Sequence, residues 1–110
     1  MTIVSKFLLN VFIWGTGLLG GDYNVFLTPT RVHGINDKII DISLGGEHML
    51  ALTERNQIFA WGCNKWGQCG VSSADMFIMR PTPIREFERT EVLQISAGWS
   101  HSLIKCRELE

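Results

Sequence analysis

The side chains with chemistry to offer are few: the imidazoles of His48 and His101, the thiols of Cys63, Cys69 and Cys106, and a glycine-rich run, Gly15-Thr16-Gly17-Leu18-Leu19-Gly20. A histidine can act as general acid or base near neutral pH, but it then needs an acidic or nucleophilic partner held against it. No such partner stands at a spacing shared by both histidines. A zinc site would require Cys63, Cys69, His101 and Cys106 to converge, and the five residues between Cys63 and Cys69 are not a zinc-knuckle spacing. Three cysteines with no Cys-x-x-Cys pair read instead as free thiols in a reducing compartment, packed as small apolar groups. The glycine run has the form Gly-x-Gly-x-x-Gly, yet no helix-forming segment and no Gly-Lys-Ser/Thr ending follow it. No catalytic, cofactor-binding or metal-binding residue is therefore expected, and no cofactor.

The elements that would position these residues come in two copies. One begins Val11-Phe12-Ile13-Trp14-Gly15 and closes with Leu44-Gly45-Gly46-Glu47-His48-Met49-Leu50-Ala51-Leu52. The other begins Ile58-Phe59-Ala60-Trp61-Gly62-Cys63-Asn64-Lys65-Trp66-Gly67-Gln68-Cys69-Gly70 and closes with Ala97-Gly98-Trp99-Ser100-His101-Ser102-Leu103-Ile104. Trp14 and Trp61 lie 47 residues apart, Pro29 and Pro81 52, and His48 and His101 53. The growth from 47 to 52 marks an insertion between the Trp-Gly turn and the proline, where a loop tolerates one. An equivalent histidine in each copy fits a structural role, because an active site needs one constellation rather than two. The expected signature is thus structural: Trp14, Gly15, Gly45, Gly46 and His48 in the first copy, and Trp61, Gly62, Asn64, Gly67, Gln68, Gly70, Gly98 and His101 in the second.

Four tryptophans and eleven glycines in 110 residues suit short strands and tight turns better than helices. A net charge of −1 without runs of like charge leaves no electrostatic footprint for nucleic acid or an anionic membrane. The apolar run after Lys6 has the look of a secretory leader, but Val11 onward already belongs to the repeat, so it is read as strand and secretion is not expected. The run is also too short and too interrupted to span a bilayer as a helix.

Along the chain, Val11 to Trp14 reads as a strand ended by Gly-Thr-Gly, and Gly20 to Asn24 as a loop. Thr28 to Val32 restarts an extended piece led by Pro29. Lys38 to Leu44 follows as a strand with Ile40, Ile42 and Leu44 on one face. His48 to Thr53 is apolar on both faces and must be covered on both, which suits sheets stacked between neighbouring sheets. In the second copy, Val71 to Arg80 form the inserted loop, with Met76, Phe77, Ile78 and Met79 packed beneath it. Thr82 to Ile84, Val92 to Ser96 and His101 to Ile104 are strands. The organisation expected is a leading strand or tail over 1–10, repeats over 11–57 and 58–105, and a tail over 106–110.

The order Trp-Gly-x-Asn-x-x-Gly-Gln-x-Gly in Trp61 to Gly70, a proline-led strand, and Ala-Gly-x-x-His-Ser-Leu in Ala97 to Leu103 resembles the repeat of the regulator of chromosome condensation family. The resemblance runs from Val11 to about Lys105; Gly20-Gly21-Asp22-Tyr23 departs from it where Gly-Gln-Leu-Gly would stand. It implies an all-β fold, a partial β-propeller of about two blades of four-stranded antiparallel sheet, taken from a seven-bladed whole. The remaining blades would come from a longer chain or from self-association. The implied function is a protein-interaction module in the cytoplasm or nucleus, without covalent chemistry. The alternative implied is guanine-nucleotide exchange on a small GTPase partner.

Overall fold

The computed structural model describes residues 2–4, 11–18 and 23–109, and these contain no helix. Residues 7–10 of the apolar run after Lys6 and the Gly20-Gly21-Asp22 turn lie outside the described residues. Nine antiparallel strands follow in order: β1 (Thr2–Val4), β2 (Phe12–Leu18), β3 (Tyr23–Arg31), β4 (Ile39–Leu44), β5 (His48–Thr53), β6 (Ile58–Cys63), β7 (Phe77–Ile84), β8 (Thr90–Ala97) and β9 (Ser102–Glu108). They form three sheets, β1-β2-β3, β4-β5-β6-β7 and β8-β9, each a meander of sequence neighbours.

The repeat explains this division. β8 and β9 are the counterparts of β4 and β5 one period later, while β2 and β3 are the counterparts of β6 and β7 one period earlier. The nine strands thus amount to two four-stranded blades plus the short β1, distributed as one complete blade flanked by parts of two others. The complete blade straddles residues 57 and 58, drawing β4-β5 from the first sequence unit and β6-β7 from the second.

β5 is buried along its whole length, as a strand apolar on both faces must be. Met49, Leu50 and Ala51 are fully enclosed, and around them one core joins Val11 and Ile13 beside the first sheet, Ile58, Ala60 and Trp61 of β6, and Val92 and Ile95 of β8. Each such aliphatic side chain contributes about 1.5–3 kcal/mol by leaving water. The blades are held together mainly by this burial.

Repeated bulges carry the finer register. The pairing of β2 with β3 shifts between Ile13 and Gly15, and that of β6 with β7 between Ala60 and Gly62, so Trp14 and Trp61 both stand at a bulge. Gly62 has φ of 106°, a conformation that side-chain-bearing residues rarely adopt, which is why glycine follows the tryptophan there. A second pair of shifts falls at Ile40 in β4 and Leu93 in β8.

Several sequence expectations need correction. Ile40 does not share a face with Ile42 and Leu44: the bulge turns it out to solvent and turns Ile39 in. β2 does not end at Trp14 but runs through Gly15-Thr16-Gly17, because those residues pair with Phe26, Val25 and Asn24 of β3. Tyr23 and Asn24, expected in a loop, accordingly open β3. Phe77 to Arg80 belong to β7 rather than to the inserted loop. Strand alternation then buries Ile78 and exposes Met79, while Met76 just before the strand is also exposed, so the four residues are not all packed beneath a loop. β7 tolerates Pro81 and Pro83 because it is the outer edge of its sheet, where a missing N–H costs no ladder bond.

Candidate interaction face

β4 ends, β5 begins, β6 ends and β7 begins at one side of the complete blade, and the β8–β9 turn lies at the same side. The signature residues gather there. In the Leu44–His48 turn the Gly45 N–H donates to the His48 carbonyl at 2.8 Å; in the Ala97–His101 turn the Gly98 N–H donates to the His101 carbonyl at 2.8 Å. The two turns are the same structure, and each packs its histidine ring over its own first glycine. A methyl group on Gly45 would meet the His48 ring and the Gly98 carbonyl, and one on Gly98 would meet the His101 ring. Gly46 is closed off by the neighbouring turn: a methyl group there would lie 2.7 Å from the Trp99 carbonyl oxygen.

The turns also join the blades. The Gly46 N–H donates to the Gly98 carbonyl at 3.1 Å, and the Ala97 N–H to Ser43 Oγ at 2.9 Å. The Ser102 hydroxyl donates to the Gln68 carbonyl at 2.6 Å, so it accepts from His48 Nε2 at 2.8 Å. His48 is therefore held as the neutral Nε2–H tautomer, and its Nδ1 is buried with no hydrogen-bond partner among the described residues. Burial lowers its pKa from the ordinary 6.5; the His101 backbone opposes the shift and the His101 charge adds to it. The imidazole thus links two blades through a hydroxyl.

His101 does not share this enclosure. It is exposed, while His48 is 1% exposed. The difference lies in what stands beside each ring: Ser102 and Gln68 from elsewhere in the chain enclose His48, and no counterpart encloses His101 among the described residues.

Asn64 and Gln68 organise the loop between β6 and β7. Asn64 is buried; its amide donates to the Asp75 carbonyl at 3.0 Å and its Oδ1 accepts from the Cys69 N–H at 3.2 Å. Its backbone accepts from the Gly67 N–H, and the Gly67 carbonyl in turn accepts from the Gly70 N–H, both at 3.1 Å. Gln68 Oε1 accepts from the Trp66 N–H at 2.9 Å. With its polar interior satisfied in this way, the loop presents Lys65 and Trp66 outward. Lys65 Nζ lies 5.9 Å from the centre of the Phe77 ring, close enough for a cation–π contact.

Trp14 and Trp61 lie in the strands and not on this face; Trp61 is buried and Trp14 half-buried. Cys63 and Cys69 are buried, with Cys69 Sγ donating to the Cys63 carbonyl at 3.3 Å, whereas Cys106 is exposed. Burial, and then the neighbouring Cys63, push the Cys69 thiol up to about 12. No group of three or more His, Cys, Asp or Glu side chains is placed to hold a metal ion among the described residues.

Three residues of consequence escaped the sequence reading. Ser102 carried only the signal of following His101. Trp99 replaces, in the second copy, the glycine that Gly46 supplies in the first. Asn56, with φ of 66°, aims its amide at β8, donating to the Thr90 carbonyl at 2.6 Å and accepting from the Val92 N–H at 2.7 Å. A polar turn with asparagine was visible in the sequence; its target across the blade seam was not.

Comparison with known proteins agrees with this geometry. The family profile described as "Regulator of chromosome condensation (RCC1) repeat" matches residues 55–104, and a second profile of the same description matches residues 39–68. The human probable E3 ubiquitin-protein ligase HERC6 is 37% identical over 98 residues, covering 84% of this chain and 10% of that protein. The bovine secretion-regulating guanine nucleotide exchange factor is 30% identical over 103 residues, covering 83% of this chain and 22% of that protein. The chain thus spans between a tenth and a quarter of the length of these relatives. Human WBSCR16 shares the fold with a TM-score of 0.76 at 22% identity, over 90% of this chain and 27% of its own. Two profile matches, on residues whose turns and bulges recur in space at the repeat period, mean that the chain belongs to the regulator of chromosome condensation repeat family, with the β-propeller fold.

Proposed function

We propose that the chain is a protein-interaction module, part of a larger seven-bladed propeller, and that it engages its partner through the face described above. One observation carries this reading: Trp66, Met76 and Trp99, 75%, 55% and 78% exposed, all stand at that face. Large apolar side chains offered on ordered turns are what a protein surface buries on binding, and tryptophans are the commonest anchors of such contacts. Under this reading the signature glycines, histidines, Asn64 and Gln68 shape the face and do not touch the partner. The sequence units 11–57 and 58–105 enter as the repeating elements of the parent propeller, and its compartment is the cytoplasm or nucleus, in keeping with three unpaired cysteines.

The test is affinity capture with the wild-type chain and with Trp66→Ser, whose side chain is largely exposed. A partner retained by the first and lost by the second, with unchanged circular dichroism, supports the reading. Equal retention by both removes this face from the interaction.

A second reading is non-covalent guanine-nucleotide exchange on a small GTPase. Its support is the likeness to the bovine exchange factor. Release of labelled GDP from a panel of small GTPases tests it, and no acceleration across the panel would exclude exchange by this chain.

A further inference from the structure

Between β2-β3 of the first sheet and β6-β7 of the complete blade runs a groove of about 470 Å³, within the roughly 300–1,000 Å³ of a ligand-sized site. Both of its walls are described strands, and further blades of a parent propeller would stack beyond them. The floor is apolar: Ile13 and Trp61 are buried there and Pro81 is half-buried, with Met79 exposed alongside. A methyl group on Gly34 would touch Pro81 at 3.5 Å, so the turn after β3 lies against β7 at the groove.

The charge around this floor has one sign. Arg31 comes from β3 and Arg80 from β7, both exposed, and no Asp or Glu lines the groove among the described residues. Neither arginine forms an ion pair among those residues. The chain as a whole carries −1, so two unpaired guanidinium groups in one groove are a local excess. The repeat does not require them. At the 52-residue offset of Pro29 and Pro81, the counterpart of Arg31 is Pro83 and that of Arg80 is Thr28.

We propose that this groove is a second docking site, sharing no residue with the Trp66, Met76 and Trp99 surface, and that it takes a short acidic segment of a partner protein. Carboxylates of the segment pair with Arg31 and Arg80, whose planar forks suit bidentate contact, and an apolar side chain lies on Trp61, Ile13 and Pro81. Pro81 and Pro83 offer no N–H, so over this part of β7 the segment is held by its side chains and not by strand addition. Two cations above an apolar floor do not make the extended basic stripe that nucleic acid would need.

Random heptapeptides displayed on phage, selected on the 110-residue chain, provide the test; each recovered sequence is labelled and titrated by fluorescence anisotropy. The expected sequences carry Asp or Glu on either side of a large apolar residue. Arg31→Glu and Arg80→Glu should each weaken their binding by about tenfold or more, because a like charge then meets the carboxylates. Arg31→Gln, which removes the charge without reversing it, should cause a smaller loss and covers the case in which a reversal disturbs the circular dichroism. Raising salt from about 50 to about 500 mM should also weaken binding, as exposed charge pairs are screened. Trp66→Ser should leave it unchanged. No enrichment of acidic sequences, or equal binding to wild type and the arginine variants, would overturn the proposal. Loss of binding with Trp66→Ser in place of the arginine variants would also overturn it, while leaving the Trp66 surface as the interaction site.

Discussion

Gly45→Ala and Gly98→Ala remove the same signature residue from the two copies, yet they should differ sharply in cost. Neither glycine has positive φ, so the penalty comes from what the new methyl group meets. At Gly45 it meets the ring of buried His48 and, at 2.5 Å, the Gly98 carbonyl oxygen of the next blade. A backbone oxygen fixed by its own hydrogen bond from Gly46 cannot swing aside. Either the blades part or the His48 ring leaves Ser102. Overpacking of this kind costs about 1–3 kcal/mol, and the lost hydrogen bond adds about 1 kcal/mol. The expected total is about 3 kcal/mol, a large share of the roughly 5–15 kcal/mol that keeps a domain folded. At Gly98 the three nearest atoms are all on the ring of exposed His101, which can rotate into solvent, and the cost should stay below about 1 kcal/mol. Urea unfolding followed by circular dichroism measures both. If the two variants lose equal stability, or if Gly45→Ala loses less than Gly98→Ala, the reasoning from the blade seam is wrong.

Other perturbations follow from the same seam. Ser102→Ala removes the hydroxyl between His48 Nε2 and the Gln68 carbonyl, and should cost about 1–3 kcal/mol in the same urea assay, since a second buried ring nitrogen is left unpaired. Acid should act through His48: its folded pKa lies below the ordinary 6.5, so the stability it contributes is present above 6.5 and is lost as pH falls below that value towards the folded pKa. Urea midpoints should accordingly drop on acidification through that window, and His48→Gln should flatten the drop. Asn56→Ala should release the start of β8 and cost about 1–2 kcal/mol, with faster amide exchange at Val92 as the local readout. A thiol reagent should modify Cys106 in the native protein but reach Cys63 and Cys69 only after unfolding, as mass spectrometry would show.

Much of the candidate face was legible, because its parts are local. Gly-x-x-His, Trp-Gly and the Asn64 to Gly70 run each complete their geometry within a few residues, so their spacing can be read without knowing the rest of the fold. The failures share one cause. Ile40 was placed on the wrong face, β2 was ended too soon and Phe77 was left in a loop, because bulges and cross-strand partners decide those points and strand periodicity does not show them. Met76 and Met79 were taken as packed for the same reason: the register of β7 against β6 exposes them. The contrast between His48 and His101 was beyond reach, since both sit in the same local sequence and differ only in what packs alongside.

By itself the sequence determined the repeat, the all-β class, the strand that had to be covered on both faces and the residues that shape the turns. These depend on spacing, on side-chain volume and on backbone conformations open to glycine, all properties of short segments. The tertiary structure alone decided how the strands divide into one complete blade and two partial ones, which histidine is enclosed, and which apolar side chains remain on the surface. Those outcomes depend on contacts between segments about fifty residues apart, such as Gly46 with Gly98 and His48 with Ser102. A contact of that reach leaves no trace in the spacing of either partner, because packing and strand pairing are chosen by the whole chain at once.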